Sequence, residues 1–168
     1  MVPTGFARDG DRLLLHGSTG SRWLRALAGG APVCVTVTEL DALVVARSAF
    51  ESSLRYRSAC LFGTCAALAG DDAARALELF TERVLPGRVR EVRPSTPREL
   101  AATLVVALPI DQWSLKVSEG WPDDPPEDVA GDAWAGVVPL RKGWEQPIPA
   151  PGLGTGIQLP ESVRGLAD

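Results

Sequence analysis

Apolar positions are spaced in several distinct ways along this chain, and each spacing predicts an element. Leu13-Leu-Leu15 is a short apolar run entered through Arg8-Asp-Gly-Asp11. Asp-Gly is a strong hairpin signal, so Val2–Phe6 is expected to be the tail of a strand paired with Arg12–His16. After the small-residue turn Gly17–Ser21 the period changes. Trp23, Leu24, Leu27 and Ala28 share one face at i, i+3/i+4 spacing, and Gly29-Gly30 closes the run, which predicts a helix. Pro32 then opens Val33-Cys-Val-Thr-Val37, dense in β-branched residues. Glu39–Asp41 reads as a short turn and Ala42–Arg47 as the returning strand. Ser48–Tyr56 breaks the pattern, as a loop or helical turn would. Arg57–Leu68 is apolar on both faces with Gly63 inside, as in a bent barrel strand.

Asp71-Asp72 is expected to cap a second helix with Ala73, Leu77, Phe80 and Val84 on one stripe, stopped by Pro86-Gly87. Thr96-Pro-Arg-Glu99 has the form of a capping box with proline at the first helical position. Thr103–Pro109 and Trp113–Ser118 read as the next strands, the second with Trp113, Leu115 and Val117 facing one way. Trp121–Asp132 is an acidic, proline-containing loop, and Trp134–Leu140 is the last strand. Beyond Lys142 the chain is rich in proline and glycine without periodicity, as a loosely held or partner-wrapping tail would be. Seven or so strands in mostly adjacent order, joined by helices, predict a mainly β chain: a small β-barrel with connecting helices over residues 1–141, then a tail over 142–168.

Composition narrows this picture. With 168 residues, 45% hydrophobic and 23% charged, the chain has the profile of one soluble globular domain. A net charge of −4 argues against a nucleic-acid partner, which would need a basic face. No basic region precedes an apolar run near Met1, and no apolar stretch is long enough to span a membrane. Cys34, Cys60 and Cys65 are an odd number in apolar runs, which suits buried reduced thiols in a cytoplasmic protein. One histidine, His16, excludes a His-rich metal site.

The chemistry concentrates in His16-Gly-Ser-Thr-Gly-Ser-Arg22. A strand, a tight turn and a helix leave the first helical N–H groups pointing forward, and the helix dipole adds positive charge there. Ser18, Thr19 and Ser21 add hydroxyls, Gly17 and Gly20 allow close approach, and Arg22 adds a guanidinium, which together are the parts of a phosphate cradle. Ser18 or Thr19 as a simple helix cap, with Arg22 as a solvated surface charge, explains the same residues. The run matches neither a Walker A loop nor a dinucleotide fingerprint. A hydrolase pairing Ser18 with His16 lacks the G-x-S-x-G elbow.

Taken in order, the blocks Arg8–Arg22, Pro32–Thr38, Leu43–Phe50, Tyr56-Arg-Ser58, Val84-Leu-Pro-Gly-Arg88 and Trp134–Leu140 resemble the flavin-nucleotide-binding branch of the pyridoxamine 5′-phosphate oxidase-like split-barrel proteins, close to the nitroimidazole-resistance proteins. The resemblance implies an FMN-binding split barrel, a homodimer with FMN in a groove at the subunit interface, and oxidoreductase activity on an unidentified small molecule. A non-catalytic flavin carrier, a truncated inactive relative, or a deazaflavin in place of FMN are the alternatives it leaves. By position, Pro3 and Thr4 would lie along the flavin, and His16, Gly17, Ser18, Thr19, Ser21 and Arg22 would hold the phosphate. Tyr56, Arg57 and Ser58 would line the groove, and Trp134 would pack nearby, with core packing for Trp134 and an acidic partner for Arg57 as the plainer readings. Two departures stand out. Phe50 is followed by Glu51-Ser52 where relatives carry a His-His pair, and the family's first helix and strand precede the point where this sequence starts, so the expected barrel lacks a strand and the groove a wall.

Overall fold

In a computed structural model that describes residues 1–166, the chain forms two compact units. The elements in chain order are β1 (Ala7–Asp9), β2 (Arg12–Ser18), α1 (Arg22–Ala28), β3 (Pro32–Val45), β4 (Ser53–Thr64), β5 (Ala66–Leu68) and α2 (Gly70–Val84). A 3₁₀ turn over Arg88–Arg90 follows, then α3 (Pro97–Ala101), β6 (Thr103–Pro109), β7 (Gln112–Ser118), α4 (Pro126–Val129), β8 (Gly136–Pro139) and α5 (Glu161–Arg164). The chain is therefore mainly β, as its pattern predicts.

The first unit takes in Met1–Val33, Gly63–Asp111 and the chain from Gly143 onward. Its sheet runs β1-β2-β6-β5 with every pairing antiparallel. The β1–β2 hairpin pairs Asp9 with Arg12, and Gly10 takes φ +56 at the first turn position, the placement that a type II′ turn gives to glycine. The strand starts at Ala7 rather than Val2. Pro3 removes a ladder donor and Gly5 has no side chain to pack, so residues 2–6 stay outside the sheet and exposed.

β2 and β6 form the core of this unit: Leu13, Leu14, Leu15 and Val105–Leu108 are each at most 3% exposed. Burying one such side chain contributes about 1.5–3 kcal/mol. Strand alternation sorts the two faces. Leu14 packs with Ala7, Val105 and Ala107 under Ala76 and Phe80 of α2, and His16 meets Phe80 on the same side. Gly17 faces the other way, toward Leu24 of α1. Gly63, at φ +153 and against Leu108, marks the bend, and β5 follows after Cys65. Asp71 and Asp72 lie in the first turn of α2, where they complement the helix dipole, but Ala69 is its N-cap and no side chain caps it. The capping box at Thr96 and Glu99 forms as expected. In the segment after Lys142, Ser162 of α5 is 7% exposed and donates its N–H (3.0 Å) and hydroxyl (2.5 Å) to Glu91.

The second unit comprises Cys34–Phe62 and Gln112–Lys142, with a sheet ordered β7-β4-β3-β8. The turn expected at Glu39–Asp41 does not form, and β3 runs unbroken for 14 residues. Asp41 is held inside the sheet: Arg57 of β4 donates to both of its carboxylate oxygens (3.0 and 2.8 Å), and Leu140 N–H donates to its carbonyl (2.8 Å). The Glu39-Leu-Asp41 segment, which looks like a turn, is thus tied down on both sides of β3. Asp124, only 1% exposed at its side chain, accepts from the amide and guanidinium of Arg47 (2.7 and 2.9 Å), which fixes the loop that carries the one-turn α4. The cysteines meet the expected burial only in part. Cys65 is buried, Cys60 half-buried and Cys34 exposed, because Cys34 falls on the outward-alternating positions of β3. Among the described residues no helix is long and apolar enough to cross a membrane, and no cluster of three or more His, Cys, Asp or Glu side chains suits a metal ion.

Candidate functional site

The run from His16 to Arg22 is the end of β2, a two-residue turn and the start of α1. The turn uses its own amides. Thr19 N–H donates to the carbonyl of Ala102 (3.0 Å), Gly20 N–H to Ser18 Oγ (3.1 Å), and Ser21 N–H to the carbonyl of Ser18 (2.9 Å). Ser21 is the N-cap of α1, yet its side chain makes no cap bond. What this corner presents outward is therefore its side chains: the Thr19 hydroxyl, the Ser21 hydroxyl and the guanidinium of Arg22, which is exposed and forms no ion pair among the described residues.

His16 and Gly17 belong to different surfaces, since neighbours on a strand point to opposite faces. A Cβ on Gly17 would lie 2.8 Å from Leu24 Cδ1, so this glycine lets α1 fold back onto β2. His16 turns to the α2 side, where its ring meets Phe80 edge-on with centroids 4.3 Å apart. Its Nδ1 is buried without a hydrogen-bond partner, and burial lowers its pKa from the ordinary histidine value.

Beside His16 lies a cavity of about 760 Å³, a size typical of ligand pockets, which span roughly 300–1,000 Å³. Leu77, Phe80 and Val84 of α2 form one wall, and Leu85, Val92 and Leu100 continue it. Arg88 and Arg93 stand at its edge. Arg93 is committed to Glu99 through two bonds (2.8 and 2.6 Å), whereas Arg88 has a single 3.4 Å contact with Glu91. Sequence reasoning finds only His16 of this cavity. The available signal is the α2 stripe, which runs on to Val84 although Val84 is 67% exposed, beyond what the core beneath it needs.

A family model described as pyridoxamine 5′-phosphate oxidase matches residues 1–117. The chain belongs to that family. Among solved structures, the FAD and heme binding protein from Mycobacterium smegmatis is 58% identical, with a TM-score of 0.95 over 99% of this chain and 82% of that one. A flavocytochrome from Azotobacter vinelandii is 36% identical, with a TM-score of 0.88 over 98% of this chain and 77% of that one. A protein described as a 5-nitroimidazole antibiotic resistance protein from Bacteroides thetaiotaomicron, 21% identical with a TM-score of 0.55 over 68% of this chain and 66% of that one, shares the fold. No curated protein matches the chain.

The remaining residues that the resemblance singles out are placed as follows. Pro3 and Thr4 of this family member are exposed and outside any strand. Tyr56 and Ser58 share one face of β4, where Ser58 Oγ lies 2.8 Å from Thr38 Oγ1 and the Lys116 ammonium lies over the Tyr56 ring. Arg57 points to the other face and is held by Asp41. Trp134 is 65% exposed and its ring folds over Gly136, where a Cβ would come within 2.9 Å of it. His16, Gly17, Ser18, Thr19, Ser21 and Arg22 lie in the first unit, and Tyr56, Arg57, Ser58 and Trp134 in the second.

Proposed function

We propose that this chain is a redox protein that binds a flavin nucleotide and a heme, and that it works as a homodimer. The observation that best supports this reading is its likeness, along nearly its whole length, to the FAD and heme binding protein of M. smegmatis and the flavocytochrome of A. vinelandii. A bound flavin and a heme supply electron-transfer chemistry that no side chain here supplies. The chain's own contribution is to bind and orient. Thr19, Ser21 and Arg22 present two hydroxyls and a guanidinium at one corner, donors suited to a phosphate or pyrophosphate. The apolar cavity beside His16 suits a flat, largely apolar macrocycle.

Titration of the purified protein with FAD, FMN, riboflavin and hemin, followed by visible absorbance, tests this. Both nucleotides are expected to bind more tightly than riboflavin, and comparing FAD with FMN decides which is the cofactor. Arg22→Glu should weaken both nucleotides by at least about tenfold while leaving riboflavin unchanged, since a charged hydrogen bond contributes about 1.5–3 kcal/mol. Equal losses for all three ligands would remove the phosphate role from Arg22. Failure of every flavin to bind would sink the flavin reading.

A further inference from the structure

We propose that the cavity walled by α2, the Arg88–Arg90 turn and α3 holds the heme, with the imidazole of His16 as the side chain that would ligate its iron. This rests on the heme half of the reading above and places it at named residues. His16 is the chain's single histidine, and its buried Nδ1 has no partner within the described chain. Buried polar atoms are rarely left so unless a ligand or water satisfies them. The wall that faces it is apolar where the core does not require it: Val84 is 67% and Val92 41% exposed, both lining the cavity. A porphyrin needs such a wall for its faces and a cation at its edge for its carboxylates. Arg88 fits the second role. Its only ionic contact among the described residues is the 3.4 Å one with Glu91, and Glu91 is already satisfied by the N–H and hydroxyl of Ser162. The cavity lining holds no second histidine and no cysteine, methionine or tyrosine. These walls would therefore offer the iron one imidazole and no second side-chain ligand of those kinds.

Because His16 is the only histidine, growth on ¹⁵N-histidine labels one residue. Untagged full-length protein labelled in this way is loaded with hemin and examined by pulsed electron paramagnetic resonance. One heme per chain with hyperfine coupling to the labelled nitrogen is the expected result, and carbon monoxide should bind the reduced form readily. A Thr81→Trp variant, which fills the cavity from α2, should bind hemin at least tenfold more weakly with flavin affinity unchanged. If the unaltered protein binds no hemin, the heme reading and this assignment fall together. Hemin bound without coupling to the label overturns His16 as ligand and leaves the heme reading standing. Thr81→Trp protein that binds hemin like the parent overturns the cavity, and should that variant fail to fold, the labelled parent decides alone.

Discussion

Leu24 is fully buried, and its Cδ1 stands 2.8 Å from where a Cβ on Gly17 would be. Gly17→Ala must therefore push Leu24 off its rotamer or α1 off β2, and overpacking of this kind costs about 1–3 kcal/mol. Urea unfolding of the two proteins checks this, and an unchanged midpoint would show that Leu24 has room to turn. The residue types at this site are legible in the sequence, but their directions are not. His16 and Gly17 read as one phosphate-holding motif, yet strand alternation sends one to α2 and the other to α1. Arg57 shows the same limit. An acidic partner is the plainer expectation for this guanidinium, and the unbroken β3 identifies it as Asp41. The single histidine rules out a His-rich metal site, whereas a heme needs only one imidazole.

Among the elements, α3 carries the sharpest test, because its cap was visible in four residues. Glu99 accepts from Thr96 N–H and from Arg93, and these bonds hold its pKa down to about 2 against an ordinary 4.5, the bonds from Arg93 being the largest cause. A depressed carboxylate stabilises the fold fully above its unfolded pKa and loses that contribution as pH falls toward its folded one. The gap in melting temperature between the parent and Glu99→Gln is thus expected to stay constant near neutrality and to close between about pH 4.5 and 2. A gap that persists in acid would mean that the cap works without its charge. Strong local chemistry of this sort, such as the Gly10 hairpin, the Pro86-Gly87 stop and the periodic face of α1, is legible in the sequence. Elements decided by partners distant in sequence are not. Leu140 and Arg57 hold Glu39–Asp41 in strand.

For the whole molecule, the mainly β class and the family follow from ordered blocks of sequence, while the division into sheets β1-β2-β6-β5 and β7-β4-β3-β8 depends on pairings that no local window contains. Assembly is the property left to experiment. β7 is an edge strand, and alternation puts Trp113, Leu115 and Val117 on one face, 59%, 55% and 46% exposed. An edge with unpaired backbone groups and an apolar face invites association unless it is covered. A second copy covers such a surface symmetrically, and closed two-fold pairing also prevents open-ended growth. Light scattering of the flavin-loaded protein at micromolar concentration is expected to give the mass of a dimer. Leu115→Lys places a charge in the middle of that face and should shift the population to monomer without changing the circular dichroism. Trp134→Lys tests the other exposed tryptophan named above, which is 65% exposed. A monomer mass for the unaltered protein would end the homodimer proposal. A dimer that withstands Leu115→Lys but not Trp134→Lys would move the interface from β7 to the segment before β8.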